Sequence, residues 1–128
     1  MRTPYDAIIG LRERETDAAA QLMRDAADRL AAIEAQIAGA RESVRQEAAF
    51  QAEDISVRSD LYLVRMYGEI AQLELQLASV QAELDERREE LLQLVAETKA
   101  LEQVAENYRA AQLLAEGRAA QAQIDDRI

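Results

Sequence analysis

Residues 63–108 read LVRMYGEIAQLELQLASVQAELDERREELLQLVAETKALEQVAENY. Alternate steps of three and four from Leu63 land on Met66, Ile70, Leu73, Leu77, Val80, Leu84, Arg87, Leu91, Leu94, Thr98, Leu101, Ala105 and Tyr108, and then on Gln112 and Ala115. Thirteen of these sixteen positions are apolar, where a 49% apolar composition would put about eight by chance. A seam of that spacing held over seven heptads specifies a long helix packed lengthwise on a partner, as in a coiled coil. Arg87, Thr98 and Gln112 interrupt it. Polar residues at single seam positions commonly fix register at some expense of stability.

Upstream of this helix the pattern breaks, in Ala52-Glu53-Asp54-Ile55-Ser56-Val57-Arg58-Ser59-Asp60. Ile55 and Val57 are β-branched, and Ser56, Ser59 and Asp60 are helix-capping types. A turn is expected over 52–59, with Ser59 capping the second helix. Before it, apolar residues recur at helical spacing through Ile8, Leu11, Leu22, Ala26, Leu30, Ile33, Ile37, Ala40 and Val44. The alternation is strict from Ala26 to Val44, and its alanines allow close approach of the partner. Gly10 and Gly39 weaken this helix by about 1 kcal/mol each relative to Ala, too little to end it. Thr3-Pro4-Tyr5-Asp6 reads as its start: a hydroxyl at the N-cap, Pro at the first helical position and a carboxylate two residues on.

The expected fold class is therefore all-α, two long helices forming an antiparallel coiled-coil hairpin. Residues 1–128 are expected to form a single unit, with helix 4–51, turn 52–59 and helix 60–124. Neither helix has a wide enough apolar face to be stable alone, so the pair must form together. At 1.5 Å per residue the second helix reaches about 100 Å, and a monomeric rod is expected. Ile8 should lie beside Val104, and residues beyond 108 should overhang the pair.

Composition supports the same class and narrows the function. Charged residues make up 31% and aromatics 4%, with one Pro and four Gly, and neither Cys nor His occurs. Disulfide and thiolate chemistry are thereby removed, as are the commonest general base and zinc ligand. No cofactor or metal is expected. No Walker or Rossmann glycine pattern or nucleophile elbow occurs. Glu89-Glu90 and Asp125-Asp126 are adjacent on a helix and do not face one another. An enzyme is not expected.

The net charge of −10 argues against nucleic acid and anionic lipid as partners. Residues 61–128 carry 7 basic and 13 acidic side chains, or −6, against 7 and 9, or −2, over residues 1–51. This acidity is either a solvated face or a match to a basic partner. No apolar run approaches the roughly 20 residues of a membrane span, and the N-terminus lacks a signal-peptide pattern. A cytoplasmic protein without direct membrane insertion is expected. Among the aromatics, Phe50, Tyr62 and Tyr67 cluster about the turn, Tyr5 opens the chain and Tyr108 begins the overhang. Phe50 and Tyr62 either pack together to close the tip or serve as partner anchors.

The segment Leu11-Arg12-Glu13-Arg14-Glu15-Thr16-Asp17-Ala18-Ala19-Ala20-Gln21-Leu22 resembles the N-terminal helix of the FliJ family, the coiled-coil component of the bacterial flagellar type III export apparatus. Leu113-Leu114-Ala115-Glu116-Gly117-Arg118 is similar to a stretch in the same family, and the layout of first helix, tip and longer second helix agrees. The resemblance implies a non-enzymatic stalk, seated in the flagellar export ATPase hexamer and contacting the cytoplasmic domain of the export-gate membrane protein. It also implies escort of export chaperones, a role in flagellum biogenesis, and peripheral association with the inner face of the cell membrane through the apparatus. Gate-facing positions would be Gln36, Tyr62, Met66 and Leu73; ATPase-facing positions would be Leu113, Leu114, Glu116 and Arg118. Ala40, Ser43 and Glu47 depart from the larger or aromatic residues usual in the family, and the marked acidity and short tip connection depart as well. Two other readings stand beside this one. The chain could be the stalk of a virulence-type secretion system, or a structural coiled-coil tether to which exposed Leu75, Leu92, Val95 and Val104 would contribute.

Overall fold

A computed structural model describes residues 2–53 and 57–127. The fold is all-α: two long helices, α1 (Asp6–Glu53) and α2 (Val57–Arg127), pack against each other, with no strand among the described residues. The chain divides into two compact units, Gln21–Arg88 and Met1–Ala20 with Glu89–Ile128.

In the unit Gln21–Arg88 the two helices run antiparallel. Arg29 Nη2 donates to Glu83 Oε1 at 2.8 Å and Arg41 Nη2 to Glu74 Oε1 at 2.9 Å, so rising numbers on α1 meet falling numbers on α2. The core is a thin seam. Ala26, Ile37, Val44, Ile70 and Leu84 are buried, while Leu30, Ile33, Ala40, Leu63, Met66, Leu73, Leu77 and Val80 are half-buried. Two helices shield only one stripe of each other, so large side chains keep part of their surface in water. Leu84, at 3% exposed, is the most enclosed of the large ones.

In the other unit, Ala19 and Ala105 are buried, and Ile9, Thr16, Leu91, Leu94, Leu101 and Tyr108 are half-buried. Thr98, an expected interruption of the seam, is buried. Its hydroxyl donates to the Leu94 carbonyl at 2.8 Å, so the polar atom is satisfied within its own helix.

On α2 the sequence-derived seam coincides with the observed one. From Leu63 to Gln112 every position of the three-four series is buried or half-buried; Ala115 is exposed. On α1 the expectation holds from Ala26 to Val44 and fails before it. Ile8, Leu11 and Leu22 are exposed. The inward series continues instead through Ala19, Thr16, Arg12, Ile9 and Tyr5. Polar Arg12 and Thr16 occupy seam positions there, which hides the register from a search for apolar spacing.

The helix limits also differ from expectation. α1 begins at Asp6, not residue 4. The Asp6 N–H reaches the carbonyl of Thr3, three residues back, at 3.2 Å, and bonding to the fourth residue back begins with Ile9 N–H on the Tyr5 carbonyl at 2.9 Å. The capping itself is as expected. The Tyr5 N–H donates to Thr3 Oγ1 at 3.2 Å, and the Thr3 N–H and hydroxyl donate to the Asp6 carboxylate at 3.0 and 2.6 Å. The hydroxyl bond, then the backbone bond, hold the Asp6 carboxyl below its ordinary range, with Arg109 adding to the effect.

The connection is shorter than 52–59, since Ala52 and Glu53 are helical and α2 starts at Val57 and runs past 124 to Arg127. β-Branched residues cost a helix only a few tenths of a kcal/mol, and Val57 is accommodated. Ile55 and Ser56 lie outside the described residues. Ser59 is not the cap. It is buried within α2, and its hydroxyl donates to Glu47 Oε1 at 2.6 Å, tying the helices together near the turn. The Phe50–Tyr62 closure is likewise absent: Phe50 is 68% exposed, and Tyr62 instead lies under the Arg65 guanidinium, 5.8 Å from its ring centroid.

Gly39 tests how open the outer side of α1 is. Its φ is not positive, and an added Cβ would meet nothing within 4 Å. Gly39→Ala is therefore expected to raise the free energy of unfolding by about 1 kcal/mol in urea titration. A lower midpoint would mean that this side is covered in solution.

Candidate partner-binding surfaces

The family resemblance implies two candidate surfaces, and their residues fall one set in each unit. In Gln21–Arg88, the candidates are Gln36 on α1 and Tyr62, Met66 and Leu73 on α2. Gln36 is exposed, and the other three are half-buried. Met66 and Leu73 sit on the seam, so only one edge of each faces outward. Tyr62 lies one residue before the seam position Leu63, with Arg65 over its ring.

The Arg41–Glu74 pair sets the level of α1 against α2. Five residues before Arg41, Gln36 stands level with about residue 79 of α2. That is about 9 Å along the axis from Leu73 and about 25 Å from Tyr62, at 1.5 Å per residue. Tyr62, Met66 and Leu73 thus form one strip of three turns, and Gln36 does not join Tyr62 in a single patch. An open depression of about 500 Å³ lies beside the strip, lined by Arg65, Gly68, Glu69, Gln72 and Leu73. Gly68 lacks the side chain that would fill it.

In the other unit the candidates are Leu113, Leu114, Glu116 and Arg118. The last half-buried residue of α2 is Gln112, and every residue from 113 to 127 is exposed. Leu113 and Leu114 are 61% and 57% exposed. Adjacent leucines point about 100° apart on a helix, so the pair presents apolar surface to more than one direction. A partner that encloses the helix would use both.

Just before this stretch is an anchor of which apolar spacing singles out Tyr108 but not Tyr5. The Tyr5 and Tyr108 rings meet edge-to-face with centroids 6.2 Å apart and planes at 78°, and Arg109 Nη2 lies 3.6 Å from Asp6 Oδ1. Both tyrosines are seam positions once the α1 series is carried back through Arg12 and Ile9. Two further open depressions in this unit contain Glu13 and Glu102. No group of three or more His, Cys, Asp or Glu side chains suited to a metal ion occurs among the described residues.

Surface ion pairs complete the electrostatics. The Arg29 contact holds Glu83 below the ordinary carboxyl range and raises Arg29 in turn. Both groups are at the surface, where such pairs contribute little stability and act mainly on register. No described helix is long and apolar enough to cross a membrane. Compared with protein-family models, curated proteins and solved structures, the chain matches none of them.

Proposed function

We propose that this chain is a non-catalytic component of the flagellar type III export apparatus, linking the export ATPase hexamer to the cytoplasmic domain of the export gate and escorting export chaperones. The observation that carries the reading is the pair of family-like segments in the right order. Leu11 to Leu22 opens α1, and Leu113 to Arg118 lies near the end of the longer α2. The exposure of the second segment supports it, because a helix stretch that leaves Leu113 and Leu114 largely exposed is open to a surrounding ring. A virulence-type stalk and a structural tether are the competing functions.

The direct test is binding of the purified chain to a flagellar export ATPase hexamer and to an export-gate cytoplasmic domain. Binding to neither would overturn the proposal. Within it, Tyr62→Ala should weaken gate binding at least tenfold, about 1.4 kcal/mol. Tyrosine supplies apolar area at low entropic cost, and Tyr62 is the candidate on α2 that lies off the seam. Circular dichroism should show a near-normal melting temperature, since the ring is only half-buried. Normal binding by a variant that melts early would make Tyr62 a packing residue instead.

A further inference from the structure

α2 carries a second heptad series on the side turned away from α1. Leu61, Val64, Gly68, Ala71, Leu75, Ala78 and Ala82 follow alternate steps of three and four, and all seven are exposed. Each stands two residues before a seam position, from Leu63 to Leu84. Two residues are about 200° of helical rotation, so the two series lie on nearly opposite sides. Leu61, Val64 and Leu75 are 67%, 71% and 67% exposed. The next steps reach Asp85 and Glu89, which end the stripe. All of it lies within the unit Gln21–Arg88.

We propose that this stripe is a self-association face, on which a second copy of the chain packs antiparallel. The spacing asks for a helix as the partner, because alternate three-four steps present knobs and holes to another helix. The order of residue sizes selects the same helix, reversed. About a two-fold axis near Ala71, the end with Leu61 and Val64 falls beside the end with Ala78 and Ala82. Leu75 falls beside Gly68, and Ala71 meets its own copy. Large therefore faces small at every pairing but the central one, where Ala71 meets Ala71, and a closed two-fold contact results. A parallel pairing would set Leu61 on Leu61 and Gly68 on Gly68, crowding one layer and emptying the other.

Charge agrees with this occupant. Two copies that each carry −10 repel unless they meet on a face with little field of its own. The edges of the stripe carry Asp60, Arg65 and Glu74, two negative and one positive, for a net −1. Glu74 is also held by Arg41 at 2.9 Å. A basic partner would find little to pair with here. Four of the seven positions are Gly or Ala, so the buried area falls at the small end of specific interfaces, and the dimer is a transient one. The inference is independent of the export reading and stands or falls separately.

Sedimentation velocity on the full chain, from about 5 to about 500 µM in 0.15 M salt, tests it. The weight-average mass should rise towards twice that of the monomer. Leu61→Glu with Leu75→Glu should remain monomeric throughout and keep the melting temperature of the parent, since both side chains are outside the seam. The absence of native cysteine allows a second measurement. Oxidative cross-linking should join Leu61→Cys chains to Ala82→Cys chains when mixed, and neither variant to itself. A mass that stays monomeric at every concentration overturns the proposal. Self-linking of Leu61→Cys would mean parallel pairing and overturns it too.

Discussion

Leu84→Asp is expected to unfold most of the protein at 25 °C, while Glu89→Ala, five residues along the same helix, should leave the melting temperature nearly unchanged. Leu84 is 3% exposed and sits in the seam beside Glu83, which reaches across to Arg29 at 2.8 Å. Leucine and aspartate differ by only some tenths of a kcal/mol in helix propensity, so that effect does not decide the outcome. Burial does. Removing the leucine side chain from a core costs about 2–5 kcal/mol. A carboxylate buried there adds a desolvation penalty, relieved by taking up a proton or in part by the half-buried Arg87 three residues along the helix. Against a total stability of about 5–15 kcal/mol, the sum is most of what holds the fold.

Leu84→Ala should fall between, because it removes packing without adding charge. Loss of the helical signal at 222 nm across a urea titration measures all three. Glu89 is exposed and outside the seam, and replacing it removes one unit of a large negative charge. Equal midpoints for Leu84→Asp and Glu89→Ala would mean that Leu84 is not in the interface between the helices.

The α2 seam is legible in the sequence because its residues agree at two levels. Long straight-chain side chains favour the helix, and their apolar members fall at one repeated spacing from Leu63 to Leu101. Its three polar members do not disturb that agreement. Thr98 satisfies its hydroxyl on the Leu94 carbonyl, and Arg87 and Gln112 are only half-buried, so each fits a thin interface. The start of α1 is not legible by the same rule. Arg12 occupies a seam position with its guanidinium 3.0 Å from Glu15 and 3.8 Å from Glu97, while exposed Ile8 and Leu11 offer a false apolar series beside it.

Contacts between residues distant in sequence are hidden for a different reason. Glu47 with Ser59, and Tyr5 with Tyr108, depend on how the two helices are aligned, and spacing within one helix does not set that alignment. The outer stripe of α2 is faint in the sequence because four of its seven members are Gly or Ala. They add little hydropathy, and their meaning lies in their exposure. The candidate gate positions do not all fall together. The family resemblance points to Tyr62, Met66 and Leu73, which share one strip of α2, but also to Gln36, which stands about 25 Å from Tyr62 along the axis.

Deletion of residues 113–128 is expected to separate folding from ATPase binding. Every residue from 113 to 127 is exposed, and the side-chain bond from Gln121 Nε2 to Asp125 Oδ1, at 3.1 Å, is local to the helix. The nearest tertiary anchors are Tyr108 on Tyr5 and Arg109 on Asp6, and both remain after the cut. A helical stretch without a packed face is held by propensity and by continuity with the turn before it, and such stretches are marginal by themselves. Its removal should change the free energy of unfolding by less than about 1 kcal/mol, a shift of no more than a few degrees in melting temperature. Fewer helical residues should lower the total ellipticity in proportion. If Leu113, Leu114, Glu116 and Arg118 meet the export ATPase, the same cut should weaken binding to the hexamer at least tenfold while leaving gate binding intact. A shortened chain that melts far below the parent would place residues 113–128 in the fold, and one that binds the hexamer normally would remove the segment from the ATPase contact.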